Sequence, residues 1–314
     1  LIKRTIEISQ EPASLRVRHE QLELRRGEEL LRSIPCEDIG VVVVDHPQTT
    51  YSHGALASLA EHDAVVVICG NNHLPSALLL PLADHGQVVW RLQDQLRARR
   101  PLCKRLWKQL IQAKIRAAAR NLPLDEPARK KLLALAREVR SGDPKNVEAH
   151  AARVYWSKWV PEEAQFRRDT DGEGINSLLN YGYAIVRAAL ARAIVAAGMH
   201  PAIGLKHRHR ANAFCLADDL IEPLRPLVDA RARDLYRQGL RGITRDTKAG
   251  LLQLLADEVQ LGQEIGPLMV NLHRFVASFA QCLRAERTTL LIPTALSREE
   301  GARSASFSET SHAD

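Results

Sequence analysis

Residues 204–229, GLKHRHRANAFCLADDLIEPLRPLVD, set five basic or imidazole side chains (Lys206, His207, Arg208, His209 and Arg210) just ahead of a helix-like run carrying Asp218, Asp219 and Glu222. Side chains three or four positions apart share a helix face, so the three acids can point the same way. His207 and His209, two apart, share a face if their segment is extended. Imidazole with carboxylate is ligand chemistry for a divalent ion, and guanidinium suits phosphate. Together they point to a phosphodiester substrate. Taken alone, the same residues also fit polar loop histidines followed by a solvated helix face.

Working upstream, Asp143-Pro144 reads as a helix start, with Asp as cap and Pro in the first turn. Glu148 then falls in the second turn, and Ala151 and Ala152, three and four positions on, leave space beside its carboxylate. A lone Glu early in a helix also suits the helix dipole with no further role. From Gln95 to Leu124 there is no acidic residue, while Arg97, Arg99, Arg100, Lys104, Arg105, Lys108, Lys114, Arg116 and Arg120 fall inside it. Solvated helix faces usually mix both signs. A single-sign run of this length therefore favours a phosphate-contacting surface.

The first 90 residues have a different texture. Thr5–Ile8, Leu15–Arg18 and Leu22–Leu24 alternate apolar and polar as half-buried strands do, and His19-Glu20-Gln21 is short enough for a hairpin. Val41–Val44 and Ala64–Ile68 read as fully buried strands, with a short helix over Gly54–Ala60 between them. This pattern fits a small βαβ unit and a β-sandwich with one inserted helix equally well. Beyond Trp90, repeated Leu, Ala and Val at three-four spacing predict helix as far as Ile292, and Ser297–Asp314 has the composition of a disordered tail.

Bulk properties narrow the function classes. The 314 residues suffice for two domains, and a net charge of +7 favours a polyanionic partner. The five cysteines are scattered, with no CxxC pair, so a zinc ribbon or disulfide framework is not expected and a cytoplasmic protein is. No apolar run is expected to span a membrane, and no membrane partner is expected. GxGxxG, GK[ST] and GxSxG are absent, which argues against nucleotide cradling and a serine hydrolase.

Three blocks carry a resemblance: EAHAARVYW from Glu148, FRRDTDGEGINSLLNYGYAIVRAAL from Phe166, and the 204–229 stretch with ANAFCLADDLIEPLRP intact. Through them the chain resembles the CRISPR-associated spacer-acquisition integrases, the Cas-one family, in the branch found in type II systems. The resemblance implies an α+β fold, with a β-sandwich-like N-terminal domain (1–90), a larger all-α catalytic domain (91–296) and the tail (297–314). It implies a catalytic metal site of Glu148, His207 and Glu222 holding Mg²⁺ or Mn²⁺. Asp218, Asp219 and His209 would support that site from behind, with His209 also open as the ligand in place of His207. Arg99, Arg100, Lys104, Arg105, Lys108, Lys206, Arg208 and Arg210 are the candidate DNA contacts.

The implied reaction is transesterification. The 3′-hydroxyl of a short DNA fragment attacks the leader–repeat phosphodiester of a CRISPR array, with no covalent enzyme intermediate. The implied partners are DNA, a second copy of the chain in a homodimer, and a dimer of the small Cas-two protein. The same residues would serve a metal-dependent nuclease acting on branched or single-stranded DNA in repair. They also leave room for a non-catalytic DNA-binding scaffold.

Overall fold

The computed structural model describes residues 3–82, 85–160, 162, 166–285 and 289–296. The expected tail, 297–314, lies outside the described residues.

Among the described residues the N-terminal region holds eight strands: β1 (Arg4–Ile8), β2 (Ser14–Arg18), β3 (Gln21–Arg26), β4 (Glu29–Pro35), β5 (Ile39–Val44), β6 (Thr50–Tyr51), β7 (Val65–Cys69) and β8 (Pro75–Leu79). Helix α1 (His53–Glu61) joins β6 to β7, capped where the Ser52 hydroxyl accepts from the Ala55 amide. One sheet runs β1-β5-β7-β8 and the other β4-β3-β2-β6. Strands β1, β5 and β7 are parallel, which makes β5-α1-β7 a βαβ crossover. The second sheet is antiparallel through β2-β3-β4, its first hairpin turned by His19 and Glu20, both with φ above zero. The two patterns that the sequence left open are therefore both present, since the βαβ sheet forms one layer of a sandwich.

The apolar runs explain how this sandwich meets the rest of the chain. Successive strand side chains point to opposite faces. Val42, Val44 and Val66 join Ile6, Leu15, Leu22 and Ile34 between the sheets, while Val41, Val43, Val65 and Val67 join the core of the helical region. A strand buried on both faces carries no polar alternation, as the IGVVVV run of β5 shows. Strand β4 escaped the sequence reading because it lies at the sheet edge, with Leu30 and Leu31 exposed.

The helical region contains α2 (Val88–Arg97), α3 (Arg100–Arg120), α4 (Pro127–Glu138), α5 (Val147–Trp159), α6 (Ile175–Ala196), α7 (Cys215–Ile221), α8 (Arg225–Arg237), α9 (Arg245–Gln253) and α10 (Leu268–Ala285). A 3₁₀ turn, Glu222–Leu224, links α7 to α8. A small sheet of β9 (Glu258–Leu261), β10 (Glu264–Pro267) and β11 (Thr294–Ala295) adds strand to a region expected to be helical throughout. Its strands of two to four residues are too short to show a period in sequence.

Helix α6 is the axis of this region. By length and composition it could cross a membrane, against the expectation that no segment could, but 78% of its apolar window is buried inside the fold. Asn180, Arg187 and Arg192 interrupt it, so it does not read as a continuous apolar run. It approaches α8 closely at Gly182, where a Cβ would lie 2.5 Å from Val228 Cγ1.

One buried ion cluster ties the two regions together. Lys248 on α9 donates to Asp45 at the end of β5 and lies 3.7 Å from Glu7 on β1. The His73 ring nitrogen Nδ1 is 3.1 Å from both Asp45 carboxylate oxygens.

Candidate active site

The start of α5 is set by Asp143, whose two carboxylate oxygens accept from the Val147 and Glu148 amides at 2.9 and 3.0 Å. Asp143 supplies the expected capping oxygens, but Asp143 and Asn146 both hold positive φ and the helix begins only at Val147. Glu148 thus lies in the first turn rather than the second. Its carboxylate, Ala151 and Ala152 line a cavity of about 270 Å³, shared with Lys114, Tyr155, Arg168, Tyr183, Glu222, Arg225 and Asp229.

Within this cavity Glu148 and Glu222 converge on one cation. Lys114 Nζ donates to Glu148 Oε1 at 2.5 Å and also to Glu222 Oε2. Arg225 Nε, one helical turn after Glu222, holds the other oxygen, Oε1, at 2.9 Å. Burial pushes the Glu222 carboxyl upward, but the charges of Lys114 and Arg225 outweigh it and bring its pKa down to about 2. Asp229, in the same cavity, goes the other way. Burial raises it to about 6, only partly opposed by hydrogen bonds from the Tyr183 and Tyr155 hydroxyls. Two carboxyls in one cavity are thereby driven far apart.

The ring of Tyr183 braces this arrangement. Its hydroxyl donates to Asp229, and the Arg225 and Arg168 guanidinium carbons lie 4.6 and 5.3 Å from its centroid. Arg168 is itself held by the side-chain oxygens of Asn176 and Asn180. The FRRDTDGEGINSLLNYGY block therefore brings Arg168 and Tyr183 to the cavity, and the Tyr183 ring in turn packs against Arg225.

His207 stands on the exposed loop between α6 and α7. Its Nδ1 is 2.7 Å from Asp219 Oδ1, and this hydrogen bond is the main cause that raises its pKa above the usual imidazole value. Asp219 is fully buried and also accepts from the Leu205, Lys206 and His207 amides. It thus shapes the loop as well as orienting the ring, leaving Nε2 as the nitrogen for another partner. Gly204 is required for this wrap, because a Cβ there would lie 2.6 Å from Asp219 Oδ2 and 2.7 Å from the His207 carbonyl. Trp107 on α3 packs edge-on against the His207 ring at 5.9 Å. Among the described residues, His209 makes no such contact, and its Nδ1 accepts from the nearby Ala211 amide.

The three acids of the 204–229 stretch do not share one task. Asp218 is held by Arg187 on α6 and by Asn212 of the loop before α7, so it does not order Glu222. Asp219 holds the loop, and only Glu222 faces the cavity. Among the described residues no three His, Cys, Asp or Glu side chains are gathered at metal-ligand spacing. The carboxylate pair is assembled, and His207 stands apart from it.

Of the candidate DNA contacts, Arg99, Arg100, Lys104, Arg105, Lys206, Arg208 and Arg210 are exposed, and Lys108 is half-buried. The loop and the start of α3 meet at a second cavity of about 430 Å³, lined by Cys103, Arg208, His209, Arg210 and Asn212. Lys114 departs from this surface run and points inward. The signal was available, since Leu110, Ile111 and Ala118, at three-four spacing from it, are buried. Arg225, three residues after Glu222, carried a comparable signal. Arg168 and Tyr183 carried none that spacing alone reveals.

Known proteins share this architecture. The family described as CRISPR associated protein Cas1 matches residues 6–245. A CRISPR-associated endonuclease Cas1 of Neisseria meningitidis serogroup C is 38% identical over 251 residues, 79% of this chain and 82% of that protein. Among solved structures, a casposase bound to integration product has a TM-score of 0.76 at 20% identity, covering 91% of this chain and 92% of the other. A Cas6-RT-Cas1–Cas2 complex has a TM-score of 0.74 at 16% identity, covering 92% of this chain and 36% of the matched chain. The family match over most of the chain, with the fold and the carboxylate cavity behind it, places this protein in the CRISPR-associated Cas1 family.

Proposed function

We propose that this protein is a metal-dependent DNA integrase of spacer acquisition, joining the 3′-hydroxyl of a short DNA fragment to a phosphodiester of a CRISPR repeat array. The observation that carries the reading is the convergence of Glu148 and Glu222 on one positive charge in a cavity that also presents Arg168 and Arg225. That donor set fits a divalent cation, because an ammonium already stands between the two carboxylates. Glu148 and Glu222 would hold Mg²⁺ or Mn²⁺, and His207 would join them as the third donor by moving in from its exposed loop. When bound, the ion polarises the phosphoryl oxygen, lowers the pKa of the attacking hydroxyl and stabilises the leaving alkoxide.

The chain's own residues supply the remainder. Arg225 keeps Glu222 ionised and aimed. Asp219 fixes the His207 tautomer with Nε2 outward. Arg168, at the cavity wall, is placed to neutralise charge on a phosphate entering it. Transesterification needs positioning rather than an enzyme nucleophile. The exposed bases of α3 and of the 206–210 loop would follow the DNA backbone. The solved casposase bound to integration product supports a joining reaction, and the Cas6-RT-Cas1–Cas2 complex supports Cas2 as a partner; a Cas2 dimer and a second copy of this chain complete the proposed assembly.

The test is a strand-transfer assay. Purified protein with its Cas2 partner is incubated with a labelled short duplex bearing free 3′-hydroxyls and a supercoiled plasmid carrying the repeat array. Label should move to the plasmid with Mn²⁺ and not with EDTA, and Glu148→Ala should abolish the transfer. Shortened strands without joined product would mean a nuclease, and DNA binding with no chemistry would mean a scaffold.

A further inference from the structure

The cation between Glu148 and Glu222 belongs to the protein itself, and this has a consequence for how the site is kept. Two carboxylates facing one cavity repel, and with no positive charge between them one would take up a proton or turn away. Lys114 removes that repulsion with two of its three N–H donors, on Glu148 Oε1 and Glu222 Oε2. Glu222 Oε1 is already committed to Arg225, so its remaining oxygen is the one Lys114 occupies. An ion shared by the pair needs the space between them that the Lys114 ammonium now fills, and on Glu222 the oxygen that Lys114 occupies.

We propose that Lys114 is a resident placeholder for the divalent ion, holding the two carboxylates together in its absence and leaving them when the ion binds. The inference rests on the metal reading above. Lys114 has the means to move. Its side chain is 21% exposed beside the cavity, whereas that of Lys248, a second lysine set between two carboxylates, is 6% exposed and tied to Asp45 and Glu7 where two regions of the fold meet. Once displaced, the Lys114 ammonium remains in the cavity with Arg168 and Arg225, where a phosphate would meet it. A placeholder weakens apparent ion affinity by the fraction of time it is out of the way. In return, the carboxylates are arranged before any ion arrives.

The test compares wild type, Lys114→Met, Lys114→Arg and Lys248→Met by Mn²⁺ titration calorimetry and by thermal unfolding in EDTA and in Mn²⁺. Lys114→Met should bind Mn²⁺ about tenfold tighter than wild type or more, since the competing state is gone. It should also melt lower than wild type in EDTA and recover in Mn²⁺. Lys114→Arg should keep wild-type affinity. Lys248→Met should melt below wild type by the same margin in EDTA and in Mn²⁺. If Lys114→Met does not fold, Lys114→Gln carries the same comparison.

Equal Mn²⁺ affinity in wild type and Lys114→Met would overturn the placeholder while leaving the metal site standing. Weaker binding by Lys114→Met would also overturn it, by making Lys114 a support of the site rather than a competitor. Absence of Mn²⁺ binding in both proteins would overturn the placeholder and the metal reading together.

Discussion

Lys248 and Lys114 solve the same electrostatic problem in two parts of the molecule. Each sets one ammonium between two carboxylates drawn from different elements: Glu7 and Asp45 for Lys248, Glu148 and Glu222 for Lys114. The surroundings differ. The Lys248 cluster is closed, with the Asp45 side chain only 1% exposed, and it joins β1 and β5 of the sandwich to α9 of the helical region. The Lys114 cluster opens on a cavity, and the Glu148 side chain is 25% exposed. The same charges make a staple where no ligand can enter and a site where one can. A buried ion pair is thus informative about function only together with the space beside it.

The contrast can be broken first at the open cluster. Glu148→Ala should lower strand transfer by about a thousandfold or more, the scale of losing a principal electrostatic group, while the melting temperature changes little. A variant that joins strands normally would remove the cavity from the chemistry. The closed cluster should respond in the opposite manner. Lys248→Met leaves Asp45 without its cation and should cost about 3–5 kcal/mol in denaturant unfolding. The surviving folded fraction should still join strands.

A further carboxyl sharpens the comparison, because among the described residues the donors on Asp229 are the Tyr183 and Tyr155 hydroxyls, where the others have a lysine. Its pKa in the fold, about 6, lies above the unfolded value, so its contribution to stability is complete below the ordinary carboxylate range and is lost as pH rises through about 6. Asp229→Asn should therefore remove up to about 3 kcal/mol of the fall in stability between pH 4 and pH 7, read from urea midpoints across that range. An unchanged slope would mean that Asp229 is better paired than its surroundings indicate.

The smaller effects lie on the exposed loop. Asp219→Asn should reduce strand transfer by roughly 10- to 100-fold through misorientation of His207, the usual cost of losing a ligand's orienting partner. A kcat loss larger than the change in DNA affinity would distinguish positioning from binding. Arg208→Ala and Arg210→Ala should leave the cavity chemistry intact and each reduce the salt slope of duplex binding by about one phosphate contact. An unaltered slope would take the loop off the DNA track.

Much of the fold was legible because burial leaves a period in sequence. The β1, β2, β3, β5 and β7 segments and α1 all matched alternation, apolar runs or a three-four pattern, and the 204–229 stretch announced its family. What alternation could not resolve was the choice between βαβ unit and sandwich. Both produce a VVVV run, and the chain uses one run to build both layers. The edge strand β4 and the short strands β9 to β11 carried too little period to be seen.

Sequence by itself therefore determined the family and the succession of a strand-rich first part and a helical remainder, since motif identity and hydrophobic period are properties of one segment at a time. It also nominated Glu148, Glu222 and the histidine loop as candidates for the chemistry proposed above. Only the tertiary structure decided which charge meets which. Lys114 lies 34 residues from Glu148 and 108 from Glu222, and Lys248 lies 203 from Asp45. Asp218 and Asp219, adjacent in sequence, serve Arg187 and His207 on different elements. Ion pairing depends on distance and on exclusion of water, and packing between distant segments sets both.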